Sequence, residues 1–269
     1  TVLDRSPLTV APRHRSRYAA VVRRVVAVPA QDPVVLRHAT LPLWATWDAD
    51  FTPLLVDLAS DVGNTATWLS SATALLEVSG VAGDVEPVRT TVARLLAAGD
   101  PFDAEADRDL PARQRIGAVA RMVVDGRRSP VMREAAKALS EDLSGVPEHR
   151  GSAVALAVAA VPWDDDPLAQ LHEVARLADR PVLAERARAE LAGQVDAAVR
   201  LLPRERVREI AEALAVGGPG AAGLALAITS VAGPDTGWPE HWRELLRALR
   251  RHEDPDVRLA ALDTVTARE

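Results

Sequence analysis

The stretch Leu245-Leu246-Arg247-Ala248-Leu249-Arg250-Arg251-His252-Glu253-Asp254-Pro255-Asp256-Val257-Arg258-Leu259-Ala260-Ala261-Leu262 decides how the rest of the chain is read. Its first half continues a stripe begun by Trp238 and Trp242 through Leu245, Leu246 and Leu249, with Arg243, Glu244, Arg247 and Arg250 elsewhere. That is the spacing of an amphipathic helix. Asp254-Pro255 then ends one helix and starts the next. The aspartate oxygen can accept from the free N–H groups of a first helical turn. Proline there gives up only an N–H that would have had no partner.

The same device recurs along the chain. Asp32-Pro33, Thr52-Pro53, Ser129-Pro130 and Asp166-Pro167 repeat it, and Pro87, Pro111, Pro181, Pro203, Pro219 and Pro239 punctuate the sequence between them. Most gaps are one helix plus one turn long. The segments between carry helical periodicity, as in Val207, Ile210, Ala211 and Leu214, or Leu168, Leu171, Val174, Ala175 and Leu177. No run alternates like a half-buried strand, and the apolar run 153–161 is alanine-rich, which favours helix. The pattern predicts about fourteen helices, over 15–28, 33–47, 51–61, 65–78, 85–98, 111–125, 130–144, 150–161, 167–178, 181–193, 203–216, 219–232, 239–251 and 255–268. Short links make neighbours antiparallel. Residues 1–13 read as irregular, 99–110 as an acidic loop between repeats, and 194–202 as an extra helical turn. The whole, 1–269, reads as a single domain and as part of a larger protein.

Helix pairs recur at a period near 37 residues, and Pro130-Val131-Met132-Arg133-Glu134-Ala135-Ala136 matches Pro255-Asp256-Val257-Arg258-Leu259-Ala260-Ala261. The stretch 245–262 resembles the HEAT-repeat pattern: a leucine-rich helix, an acidic Asp-Pro turn, then a helix opening with Val-Arg and paired alanines. Residues 165–193 resemble it more loosely, and 32–61 keep Asp32-Pro33-Val34-Val35 but depart at Leu36. The resemblance is close over about 35 residues, and periodicity extends it over most of the chain. It implies an all-α fold, a right-handed superhelix of about six to seven antiparallel helix pairs in an armadillo-like α-solenoid with no sheet. At about 10 Å per layer the superhelix would be roughly 65–70 Å long. The resemblance also implies a scaffold for protein or peptide binding, without catalytic activity of its own.

Composition narrows the chemistry. The chain has no cysteine, which excludes a disulfide scaffold, thiol catalysis and thiolate metal sites. A net charge of −6 argues against a dedicated nucleic-acid binder. Of 32 basic residues only Lys137 is a lysine, a bias that reads as GC-rich coding. Residues 213–234 carry no charge, yet Gly217, Gly218, Pro219 and Gly220 break the run into pieces the size of core helices. No membrane segment is expected, and the expected compartment is cytoplasmic.

No catalytic set, cofactor or metal is expected. Gly218-Pro219-Gly220-Ala221-Ala222-Gly223 has the spacing of a dinucleotide loop, but 203–216 before it reads as a helix where that loop needs a strand. A helix C-cap with close packing is the expected role. The acidic run Asp100, Asp103, Glu105, Asp107, Asp109 lacks the glycine and distal glutamate of a calcium loop. The histidines show no ligand spacing. Three surfaces stand out. Trp44, Trp47 and Asp48 could face a peptide, or an unstacked base as in a HEAT-like DNA glycosylase for alkylated bases. Arg13, Arg15 and Arg17 make the start of the chain basic. Val257 and Val265, with Ala260 and Ala261, have no later repeat to cover them, so association through the C-terminal helix is expected. A sensor arm of a larger ATPase is a further alternative. Circular dichroism should report less than about a tenth strand; a larger share would refute the all-helical reading.

Overall fold

A computed structural model describes residues 10–26, 51–63, 68–100 and 111–266. Among the described residues are thirteen α-helices and two short 3-10 turns, Pro12–His14 and Pro147–His149, with no strand. The helices are α1 (Arg15–Val26), α2 (Phe51–Ser60), α3 (Trp68–Ala82), α4 (Glu86–Ala98), α5 (Pro111–Asp125), α6 (Pro130–Ser144) and α7 (Arg150–Ala159). They continue as α8 (Leu168–Leu177), α9 (Pro181–Leu201), α10 (Arg204–Ala215), α11 (Pro219–Asp235), α12 (Glu240–Leu249) and α13 (Pro255–Leu262). The helix expected over 33–47 lies outside the described residues.

Proline sets the starts. Pro111, Pro130, Pro181, Pro219 and Pro255 are the first residues of their helices, and Pro167, Pro203 and Pro239 stand one position earlier as N-caps. At the head of α13 the Asp254 carboxylate accepts from the N–H groups of Asp256 and Val257 at 3.0 and 3.1 Å. Arg258 fastens the same turn, donating to the carbonyls of His252 and Glu253 at 2.8 and 2.7 Å. The Asp-Pro and Val-Arg residues thus do separate physical jobs at one corner.

Two helix ends differ most from expectation. The stretch 194–202 is no separate turn: α9 runs unbroken to Leu201, carried by alanines and stopped by Pro203. The last helix ends at Leu262, six residues short of 268. There the β-branched run Thr264-Val265-Thr266 weakens helix propensity, and Arg250 takes the carbonyls of Ala261 and Thr264 at 3.2 and 2.9 Å.

The chain divides into two compact units, Thr1–Leu139 and Ser140–Glu269. In the first, α4 buries Val88, Thr91, Val92 and Leu95, the i, i+3, i+4, i+7 stripe of an amphipathic helix. It packs on α2 and α5, while α3 covers α2. In the second, α11 is buried on all sides and packs on α8, α9, α10, α12 and α13. Small residues make that possible. A Cβ built on Gly220 would stand 2.5 Å from the carbonyl oxygen of Ala175 in α8.

The end of α11 shows why its last glycines and tryptophan belong together. The Trp238 N–H donates to the Gly233 carbonyl at 2.8 Å and the Gly237 N–H to that of Pro234 at 3.0 Å, the paired bonds of a Schellman motif. Gly237 takes φ 73° and Trp238 follows at φ 54°. The Trp238 ring lies on the bare Cα of Gly233, where a Cβ would come within 2.6 Å.

Two glycine substitutions separate packing from propensity. Gly220→Ala, blocked by backbone, should lower stability by about 2 kcal/mol or more. Gly193→Ala in α9, with nothing within 4 Å of the new Cβ, should raise it by about 0.5–1 kcal/mol. Urea denaturation of the two variants checks both signs.

Candidate functional site

The N-terminal basic stretch is built on one helix. Proline at position 12 opens a 3-10 turn that runs into α1, whose buried anchor is Ala19. Arg13 and Arg17 are exposed and Arg15 is half-buried. Arg13 Nε donates to His14 Nε2 at 3.2 Å, and Arg15 Nε to the Val10 carbonyl at 3.2 Å. Trp44, Trp47 and Asp48 lie outside the described residues.

The other tryptophans are structural. Trp238 and Trp242 are buried in the core of the second unit, beside Leu246 and Leu249. Trp163 packs against that core and donates from Nε1 to Gln194 Oε1 at 3.3 Å. Trp68 works at the end of α2, donating from Nε1 to the Ala59 carbonyl at 2.9 Å. Arg115 on α5 reaches the same helix end, donates from Nη1 to the Asp61 carbonyl, and holds its guanidinium 5.4 Å from the centre of the Trp68 ring. Together they satisfy carbonyls that a helix C-terminus leaves free. Arg115 is 6% exposed; burial pushes its pKa below the ordinary value, and the nearby Asp61 carboxylate offsets part of this. The sequence held a signal for this residue: Arg115 falls on the apolar stripe of Ala112, Ile116 and Val119.

The acidic insertion has a structural anchor. Asp100 accepts from the N–H groups of Ala112 and Arg113 at 2.8 and 3.0 Å, capping α5 from twelve residues upstream. Asp103, Glu105, Asp107 and Asp109 lie outside the described residues. Among the described residues there is no group of three or more His, Asp or Glu placed to share a metal ion.

The glycine motif is not a C-cap. Gly218 is the N-cap of α11 and Pro219 its first residue, because α10 has already closed at Ala215. The close packing expected of the motif is that of Gly220 against α8.

A cleft of about 270 Å³ lies between α2 and α4, lined by Thr52, Val56, Asp57, Asp84, Glu86 and Arg94 among others. Its groups are engaged locally: Arg94 pairs with Asp57 at 2.6 Å, and Asp84 accepts from the Glu86 N–H at 3.0 Å.

No family model, no curated protein and no solved structure matches this chain. Its surfaces are therefore read from their own chemistry. No described helix is long and apolar enough to cross a membrane.

At the C-terminal end the expectation needs correction. Val257 is not bare: it is 4% exposed, and with Ala261 it belongs to the core of the second unit. The helix turns that pair inward against α11 and α12. Val265 is 79% exposed, and the apolar residues beside it in sequence that face outward are Leu259 and Leu262, at 63% and 59%. Spacing alone did not separate Val257, which the chain covers, from Val265, which it leaves exposed.

Val257→Glu should therefore destabilise by about 3 kcal/mol or more, since it places an unpaired carboxylate in a core. Val265→Glu should stay within about 0.5 kcal/mol of the native chain. Thermal melts of the two variants measure the difference.

Proposed function

We propose that this chain is a HEAT-type α-solenoid that serves as a scaffold for a protein or peptide partner, with no chemistry of its own. The observation that carries the reading is the locality of the packing. Within each unit the main helix contacts join helices one, two or three places apart in the chain, such as α2 with α4, α9 with α11 and α11 with α13. Nearest-neighbour packing of this kind is how repeat arrays are held together. The capped Asp254-Pro255 corner, with Arg258 returning to its own turn, supports it further.

In this reading successive helices present side chains along an extended surface, and recognition is the whole mechanism. The cytoplasm is the proposed compartment. The C-terminal end, through Leu259, Leu262 and Val265, is the proposed association surface.

Small-angle scattering tests the architecture. A compact chain of this length should have a radius of gyration of about 18 Å, whereas a curved rod of six to seven helix pairs should give about 22 Å. A pull-down from the source cell, followed by calorimetry with the recovered partner, tests the role. A compact radius refutes the solenoid. Release of a base from methylated duplex DNA, lost in Asp48→Asn, overturns the scaffold in favour of a glycosylase.

A further inference from the structure

Several arginines of this chain pair with carboxylates. Arg94 pairs with Asp57, Arg176 with Glu173, Arg206 with Asp166 and Arg247 with Glu240. Helix α1 and the turn before it differ in composition. Residues 10–26 contain Arg13, Arg15, Arg17, Arg23 and Arg24 and no Asp or Glu. That stretch carries +5, so the remainder of the chain, at a total of −6, carries −11.

The placement is ordered as well as the composition. Arg13, Arg17, Val21 and Arg24 are spaced four, four and three residues apart and all are exposed, forming one outward stripe. Arg13 donates to its neighbour His14, and none of the three arginines pairs with a carboxylate among the described residues. Folding gains nothing from this. Like charges at i, i+4 repel, and cations in the first turn oppose the helix dipole. An arrangement unfavourable to the helix, and unpaired with any carboxylate among the described residues, is suited to an outside anion.

We infer that the stripe Arg13, Arg17, Val21 and Arg24 is the docking surface for an acidic peptide segment of a partner protein. This rests on the scaffold reading and names the chemistry of its partner. Along the axis, Arg13 and Arg17 are about 6–7 Å apart and Arg17 and Arg24 about 10 Å. An extended peptide with acidic residues at alternate positions sets carboxylates about 6.6 Å apart on one face. Carboxylates then meet the guanidinium groups in charge-assisted pairs, and Val21 offers one apolar contact between them. Nucleic acid fits less well. The stripe has no aromatic side chain for a base to stack on, and the −11 of the remaining chain repels a long polyanion. A bilayer fits less well too, because Val21 is the only apolar residue in the stripe and a surface-lying helix needs an apolar face.

The test is fluorescence anisotropy of the full chain with a labelled synthetic peptide carrying alternating Asp and Glu around one leucine. The comparison peptide replaces each acid by its amide. The acidic peptide should bind, weaken as salt rises, and exceed the amide form by about tenfold or more. Arg17→Glu with Arg24→Glu should reduce binding about tenfold or more at unchanged helix content, while the paired lysine variant should retain most of it. Equal binding of the two peptides, or no loss in the glutamate variant, overturns the inference. So does tighter binding to duplex DNA or to phosphatidylserine vesicles. If a recovered partner binds the glutamate variant as tightly as the native chain, the stripe fails and the scaffold stands; if the full chain binds no partner and no acidic peptide, both fail.

Discussion

An amphipathic helix of ten to twenty residues has one apolar stripe, and in water that stripe must be covered. Everything else in this chain follows from where the cover comes from. Links of a few residues leave a helix little choice but its neighbours in sequence, so α4 closes on α2 and α5, and α9 and α10 close on α11. Prolines at the helix starts keep the links short and the entry angles set. Burying an aliphatic side chain contributes about 1.5–3 kcal/mol, far more than any surface ion pair. The paired arginines and glutamates on the outer faces decorate this packing and do not drive it.

The second unit takes the constraint furthest. A helix buried against five others cannot carry large side chains all round, and α11 is mostly small residues, with two leucines, an isoleucine and a valine as its larger apolar side chains. Its glycines do different work at its two ends. Gly220 lets the backbone of α8 approach, and Gly233 receives the indole of Trp238. The Schellman turn that carries Trp238 back over Gly233 also fixes where Pro239 launches α12. One short turn therefore joins the end of a core helix to the start of the next.

Charge is sorted by the same logic. Where an arginine lies on an apolar stripe, as Arg115 does, it is held by the Asp61 carbonyl just past the end of α2 and by the face of Trp68. Where arginines lie on outer faces beside acids, they pair within the helix or across a groove. Helix α1 belongs to neither group. Its Arg17 and Arg24 are exposed, and the helix carries no acid. That contrast makes it the surface whose composition folding does not explain.

Local features were legible in the sequence because they depend on residues a few positions apart. Pro111–Asp125 and Pro130–Ser144 begin and end where proline and the 3.6-residue period place them, and Asp254 caps α13 as the Asp-Pro pair implies. The burial of Trp242 agrees with its stripe, whereas Trp238 stands before α12, in the turn that closes α11. Periodicity cannot say which of two apolar faces the chain covers, and so it marked Val257 as bare when Leu259 and Leu262 face outward. Nor could it assign Asp100 to a helix twelve residues away, or Arg115 to a carbonyl on another helix. The sequence by itself determined the helices, their starts and their amphipathic stripes, since those are set by backbone propensity and spacing. Only the tertiary structure decided which stripe became core and which charged groups became caps, because cover and hydrogen-bond partners come from residues distant in the chain.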